Sequence, residues 1–125
     1  MQPFSYQRSS DARDAVRAAA APRTANRPPT QAPVQFIAGG TNLVDYMKLG
    51  VARPEVLVDI NELGRQDYGR IEVEEGGLKL GALVRMAEAQ EHPKILADYP
   101  LIAETLALAA SQQIRNMASL GGNVL

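Results

Sequence analysis

Apolar and polar residues alternate at the start of the chain and then take up a helical spacing. Phe4 and Tyr6 are separated by polar neighbours, which predicts a short edge strand. Ser9 or Ser10 can then supply the capping hydroxyl of a helix that ends near Ala21. One face of that predicted helix carries four apolar side chains, those of Ala12, Ala15, Val16 and Ala19.

Proline and glycine residues separate the next predicted elements. Residues 22–33 hold four of the eight prolines and lack apolar periodicity, which predicts a loop. Residues 34–38 form an apolar run that predicts a buried strand, and residues 43–49 predict a helix that stops at a glycine. Residues 56–60 are a second short apolar run and predict another strand. A first lobe, residues 1–60, is therefore expected to have the order β, α, β, α, β.

The second predicted lobe, residues 61–125, begins with a hairpin. Residues 70–75 and 78–82 alternate apolar and polar side chains on either side of two adjacent glycines. Helices are predicted over residues 84–90 and 101–110. The second of these is expected to have a broad apolar surface, made by Leu101, Ile102, Thr105, Leu106 and Leu108.

Composition and charge exclude several classes of function. The 125 residues include 13 basic and 14 acidic side chains without a basic stripe, which argues against nucleic acid or an anionic membrane as the main partner. The chain has no cysteine, and its one histidine, His92, precedes a proline and is interpreted as a surface turn residue. We therefore predict no metal site.

Neither a signal core nor an apolar run of about 18 residues is present, so a cytoplasmic location is predicted.

The first glycine-rich turn has the chemistry of an anion-binding loop. Gly39 and Gly40 can adopt backbone angles closed to other residues, so several N–H groups can converge on one phosphate. The start of the next helix adds unsatisfied N–H groups, Thr41 a hydroxyl and Asn42 an amide. The segment is neither a GxGxxG fingerprint nor a P-loop. An alternative is a plain strand-to-helix turn in which Thr41 or Asn42 is only the cap.

A second glycine-rich turn, near the end of the chain, repeats this chemistry. Ser119 precedes Gly121 and Gly122, and Asn123 follows them. This turn is expected to lead into a new strand, so we expect the chain to be truncated. Arg115 and its neighbour Asn116 could reach a phosphate or hold the loop, and the structural role is favoured.

The sequence offers no catalytic residues. No serine nucleophile has a histidine to activate it, and Asp45 and Glu62 are expected to be solvated. Any redox chemistry would therefore need a cofactor.

Three segments together resemble the FAD-binding subunit of molybdenum hydroxylases, of the xanthine dehydrogenase or aldehyde oxidoreductase type. FIAGGTNLVDYMK is similar to the family's AGGT(D/N)L...MK loop, LKLGALVRMAE to its LxIGALxxxxE segment and IRNMASLGGNV to its IRNxA(S/T)xGGN loop. The resemblance implies an α+β, two-lobed FAD-binding fold of the vanillyl-alcohol-oxidase or p-cresol-methylhydroxylase type, with its C-terminal part missing. It also implies that FAD is bound by Phe36, Ile37, Ala38, Gly39, Gly40, Thr41, Asn42, Leu43, Ser119, Leu120, Gly121, Gly122 and Asn123.

The same resemblance implies a place in an electron-transfer complex. Electrons would come from a molybdenum-cofactor large subunit, which oxidises an aldehyde or an N-heterocycle, through a small subunit with 2Fe–2S clusters. They would leave for an acceptor such as NAD, oxygen or a quinone. Some relatives carry a 4Fe–4S cluster after the second loop, which would lie beyond residue 125. An exported partner would imply a periplasmic location. Two alternatives stay open: a stand-alone FAD-dependent oxidase or reductase of this fold, and a cofactor-free adaptor module.

Overall fold

A computed structural model describes residues 1–20 and 27–124 of the chain. The chain divides into two units of mixed helix and sheet, Met1–Leu63 and Gly64–Leu125. None of the helices in the described part of the chain has the length and apolar character that a membrane-spanning helix needs.

The first unit is built on a three-stranded parallel sheet. Its strands are β1 (Ser5–Arg8), β2 (Val34–Ile37) and β3 (Val56–Asp59), and β3 lies in the middle. Helices α1 (Ala12–Ala19) and α2 (Leu43–Lys48) complete the predicted order β, α, β, α, β. The middle strand is the most buried because both of its edges are paired. The prediction that β2 is a buried strand is wrong, because β2 lies at an edge of the sheet. Phe36, in this strand, is 45% exposed.

The start of α1 differs from the prediction. Ser9 is still part of the extended chain, because its N–H donates to the Asp59 carbonyl at 3.0 Å. Asp11 is the cap instead, and its Oδ1 accepts a hydrogen bond from the Asp14 N–H at 2.9 Å. The predicted apolar face is only partly buried, since Ala15 is enclosed whereas Val16 is 63% exposed.

The predicted proline-rich loop, residues 22–33, is described only in part. Residues 22–26 lie outside the described residues. Further on, Pro29–Gln31 forms a turn of 3-10 helix, and Ala32 is buried. Helix α2 then packs through Met47 onto Ala52 and Leu57.

The second unit begins with the predicted hairpin of β4 (Ile71–Glu74) and β5 (Gly77–Leu80). Gly77 pairs with Glu74 and belongs to the strand, so the turn itself consists of Glu75 and Gly76. Lys79 and Glu72 face each other across the hairpin, and the Lys79 Nζ lies 2.9 Å from a Glu72 carboxylate oxygen.

Five short helices follow the hairpin: α3 (Met86–Glu91), α4 (Pro93–Asp98), α5 (Pro100–Leu108), α6 (Gln112–Met117) and α7 (Leu120–Val124). They enclose a core that includes Val84, Met86 and Ile95. Helices α4 and α6 were not predicted. The expected broad apolar surface of α5 is largely exposed, because Ala103 and Leu106 are buried whereas Leu101 and Leu108 are 75% and 88% exposed.

Candidate functional site

The first glycine loop is a tight turn between β2 and α2. The Ile60 N–H donates to the Ile37 carbonyl at 3.0 Å, which extends the sheet to the start of the loop. Gly40 then turns the chain with a φ of +74°, and its carbonyl accepts from the Val44 N–H at 2.9 Å. A Cβ at Gly40 would lie 3.2 Å from Ile37 Cδ1 and 3.3 Å from Val44 Cγ2. The turn therefore requires glycine at this position.

Several hydrogen-bond donors of this loop have no acceptor in the described part of the chain. They are the backbone N–H groups of residues 39–43. Asn42 occupies the cap position of α2, but its side chain makes no capping hydrogen bond. The alternative in which Asn42 is only a side-chain cap is therefore not supported. The loop presents a run of hydrogen-bond donors of the kind that binds phosphate oxygens.

Three residues that the sequence did not indicate as part of a site, Tyr6, Asp59 and Asn61, form a network beside this loop. The Tyr6 hydroxyl donates to Asp59 Oδ2 at 2.5 Å, and Arg8 Nε lies 3.5 Å from the same oxygen. Asn61 donates twice to Asp59 Oδ1, from its backbone N–H at 2.9 Å and from Nδ2 at 2.7 Å. Nδ2 also donates to the Ala38 carbonyl at 2.9 Å.

The charge state of Asp59 follows from these contacts. Burial alone would raise the pKa of Asp59, but hydrogen bonds from Tyr6 and Asn61, helped by the charge of Arg8, hold the pKa below its ordinary value. The bond to Asp59 in turn raises the pKa of the Tyr6 phenol. The network is therefore an ionised carboxylate surrounded by donors at neutral pH.

The second glycine segment is not the turn that the sequence predicts. Ser119 pairs with Arg85 as an isolated antiparallel bridge, and the Leu120 N–H donates to the Val84 carbonyl at 3.0 Å. Gly121, Gly122 and Asn123 then lie in the helix α7. This difference arises because residues far away in sequence hold the backbone of this segment.

The two glycines of this segment have different surroundings. A Cβ at Gly121 would lie 2.9 Å from the Cβ of Ala82 and 3.0 Å from its carbonyl oxygen, so Gly121 is needed for close packing. A Cβ at Gly122 would meet only the Ser119 hydroxyl, at 3.8 Å. Gly122 therefore has no packing partner among the described residues that would exclude a side chain.

Arg115 has the structural role that the sequence favoured. The residue is buried, and its Nη1 donates to the carbonyls of Ala109 and Ala110 at 2.8 and 2.9 Å. Ala110 has a φ of +50°, which is uncommon for a residue with a side chain. Asn116 is exposed and accepts a hydrogen bond from Gln112 at 3.1 Å. Arg115 thus holds the turn between α5 and α6.

The remaining polar residues that the sequence analysis singled out are His92, Asp45 and Glu62. Among residues 1–20 and 27–124, no group of three or more histidine and carboxylate side chains could hold a metal ion. His92 lies in the turn between α3 and α4, as predicted, but it is half-buried and not fully on the surface. Asp45 is exposed as predicted, whereas Glu62 is half-buried and has an interaction partner.

The sequence and the fold agree with one family of proteins. The family model described as the FAD-binding domain in molybdopterin dehydrogenase matches residues 2–125. The chain belongs to this family, which confirms the resemblance that the three motifs indicated.

Two curated relatives illustrate the similarity. The aldehyde oxidoreductase FAD-binding subunit PaoB of Escherichia coli is 40% identical over 126 residues, which cover 100% of this chain and 36% of the relative. The nicotinate dehydrogenase FAD-subunit of Eubacterium barkeri is 35% identical over 92 residues, which cover 74% of this chain and 30% of the relative. The chain therefore spans about a third of the length of these relatives.

Solved structures show the same fold. Quinoline 2-oxidoreductase from Pseudomonas putida 86 matches with a TM-score of 0.82 and 25% identity, covering 97% of this chain and 39% of the matched chain. Reconstituted CO dehydrogenase from Oligotropha carboxidovorans matches with a TM-score of 0.84 and 30% identity, covering 98% of this chain and 39% of the matched chain. The predicted fold class is confirmed.

Proposed function

We propose that this chain is the FAD-binding part of an electron-transfer subunit of a molybdenum hydroxylase. The observation that carries the proposal is the loop of residues 39–43, whose backbone N–H groups have no acceptor in the described structure, in a chain of a family of FAD-binding domains. The diphosphate of FAD is rich in acceptor oxygens and negatively charged, so it matches this set of donors.

The residues proposed to hold FAD are those of the two glycine segments. In the first segment, residues 36–43, Gly40 takes the positive φ that the turn needs, and Thr41 and Asn42 add polar side chains. In the second segment, residues 119–123, the open surroundings of Gly122 allow a ligand to approach the backbone. Gly121 is assigned to packing and not to direct contact.

FAD, when bound, supplies the redox chemistry, because it can accept electrons from one donor and release them to another. The chain itself would bind the diphosphate and orient the cofactor. No residue of this chain is assigned a proton transfer or a covalent step. Oxidation of the organic substrate is proposed to occur on another subunit.

The proposed partners are a large subunit with the molybdenum cofactor and a small subunit with 2Fe–2S clusters. Support comes from relatives that are named as FAD subunits or medium chains, such as the carbon monoxide dehydrogenase medium chain of Hydrogenophaga pseudoflava, 34% identical over 90 residues. An aldehyde or an N-heterocycle is the proposed substrate class, since an aldehyde oxidoreductase subunit and a nicotinate dehydrogenase subunit are among the relatives. The cytoplasmic location stays a prediction.

The experiment is purification of the full-length protein with its partner subunits, followed by quantification of the flavin released on denaturation. About one FAD for each copy, and bleaching of its absorbance when aldehyde or heterocycle is added without oxygen, are the expected results. Absence of flavin would contradict the proposal and favour an adaptor without cofactor. Reduction of the flavin by substrate without the partner subunits would instead favour a stand-alone flavoenzyme.

A further inference from the structure

We infer that Asp59 and Asn61 are positioning residues that set the conformation of the first glycine loop for cofactor binding. The inference rests on the proposed function, because it concerns the loop that would hold the FAD diphosphate. It begins with a single contact, the hydrogen bond of 2.9 Å from Asn61 Nδ2 to the carbonyl of Ala38. Ala38 is the residue immediately before the two glycines.

The Ala38 carbonyl controls a donor of the loop. The carbonyl of Ala38 and the N–H of Gly39 belong to one planar peptide unit, and in a trans peptide they are directed to opposite sides. When Asn61 fixes the carbonyl oxygen, it also fixes the direction of the Gly39 N–H. That N–H is the first of the loop donors that have no acceptor in the described residues.

The backbone hydrogen bonds of the described residues do not restrain the peptide unit between Ala38 and Gly39. The sheet ends with the bond from the Ile60 N–H to the Ile37 carbonyl, one residue earlier. The bond from the Val44 N–H to the Gly40 carbonyl holds the chain again, two residues later. Between these two points, the side chain of Asn61 supplies the hydrogen bond to the backbone. Since glycine has an unusually wide range of backbone angles, this part of the chain needs such a restraint.

Asp59 holds Asn61 in the required orientation. The Asp59 side chain is only 6% exposed, and its Oδ1 accepts from both the backbone N–H and Nδ2 of Asn61. Nδ2 lies between two acceptors, the Asp59 carboxylate and the Ala38 carbonyl, so the reversed amide would bring oxygen against oxygen. The orientation of the Asn61 amide is therefore determined by its neighbours.

The network has two sides that mutation can separate. Tyr6 and Arg8, from β1, contact the other carboxylate oxygen, Oδ2, and make no contact with the loop that the structure describes. Asn61 contacts Oδ1 and the loop. Mutation of a residue on either side of Asp59 should lower the stability of the protein. Only mutation of Asn61 should also change the orientation of the loop.

The test compares Asn61→Ala with Tyr6→Phe in the full-length protein. The apoprotein of each variant is titrated with FAD, and the dissociation constant and the thermal midpoint are both measured. We expect Asn61→Ala to weaken FAD binding by about tenfold, the size expected when one hydrogen bond that orders a binding loop is lost. Tyr6→Phe should lower the thermal midpoint and leave the FAD dissociation constant unchanged. If Asn61→Ala does not fold, Asn61→Ser, whose hydroxyl is too short to bridge to Ala38, replaces it.

The outcomes separate this inference from the proposed function. Wild-type affinity in the Asn61 variant would overturn the inference, as would an equal loss of affinity in Tyr6→Phe, because the effect would then be one of stability. In both cases FAD binding by the wild-type protein would leave the proposed function intact. A wild-type protein that binds no FAD would overturn both.

Discussion

Gly121 and Ala82 are in backbone contact: the Gly121 N–H donates to the Ala82 carbonyl at 2.8 Å, and a Cβ on Gly121 would lie 3.0 Å from that same oxygen. The added carbon would also lie 2.9 Å from the Ala82 Cβ, closer than such atoms approach in proteins. Gly121 and Gly122 are adjacent in sequence, and only Gly121 has this contact. The two glycines should therefore respond differently to mutation.

Gly121→Ala should destabilise the protein. The methyl group must displace the backbone around Ala82, and overpacking of this kind costs about 1–3 kcal/mol of the free energy of unfolding. Chemical denaturation of the wild-type protein and the variant measures the difference. Equal stability of the two would mean that the segment is not held against Ala82.

Gly122→Ala should not destabilise the protein, and it should weaken FAD binding. The open surroundings of Gly122 can accept a methyl group, and alanine is favoured over glycine in a helix by about 1 kcal/mol. Because Gly121→Ala lies one residue away, it is the matched comparison. Titration with FAD measures the affinity, and unchanged affinity in a folded Gly122→Ala protein would remove Gly122 from the proposed site.

Arg115→Ala should destabilise the protein without changing its affinity for FAD. The mutation leaves the Ala109 and Ala110 carbonyls without their buried donor, and hydrogen bonds from a charged group are each worth about 1.5–3 kcal/mol. Arg70→Ala is the control, because Arg70 forms an exposed pair with Asp67, and such pairs contribute less than about 1 kcal/mol. If Arg115→Ala lowered FAD affinity while stability was unchanged, Arg115 would belong to the cofactor site instead.

Asp59 should make the free energy of unfolding of the first unit depend on pH in the acidic range. Because folding lowers the pKa of Asp59 below its usual 3.8, its contribution is present above that value and is lost as the pH falls through the folded pKa. The free energy of unfolding, measured from about pH 6 down to about pH 2, should therefore fall more steeply in the wild-type protein than in Asp59→Asn. Glu72 has a pKa shifted in the same direction and is present in both proteins, so it cancels in the comparison. Parallel curves would contradict the assigned role of Asp59.

The sequence predicted the elements that depend on local signals. Apolar runs and the glycines that interrupt them were sufficient for the order of elements in the first unit and for the hairpin in the second. Gly50 illustrates this, because its φ of +71° ends α2 through a local backbone conformation that glycine favours.

Features that depend on distant contacts were missed. The sequence allows Ser9 to be the cap of α1, but the Ser9 N–H donates to the Asp59 carbonyl, 50 positions away, and keeps Ser9 in the extended chain. The Gly121 segment was predicted as a turn into a strand, whereas its pairing with residues 82–86 determines its path. Asp59 and Asn61 left one usable signal, an aspartate at the end of an apolar run with an asparagine two residues later, which is typical of a side-chain-to-backbone turn. Its contact with Ala38 could not be read from that pattern.

Gly40 and Gly50 provide a matched pair for the central claim. They lie on either side of α2 with nearly the same backbone angle, φ of +74° and +71°, but only Gly40 belongs to the proposed FAD loop. Alanine in this conformation costs about 1 kcal/mol at either position. At Gly40 the methyl group also meets Ile37 and Val44, whereas at Gly50 the nearest atom is Arg53 Nη2, at an ordinary contact distance of 3.6 Å.

The most direct test is the FAD dissociation constant of Gly40→Ala and Gly50→Ala, measured on folded full-length protein at a temperature well below both thermal midpoints. We expect both variants to lose stability, and only Gly40→Ala to lose affinity for FAD, by about tenfold or more, because the backbone donors of its loop are displaced. Wild-type FAD affinity in Gly40→Ala, or the same loss of affinity in both variants, would contradict the claim that residues 39–43 hold the cofactor.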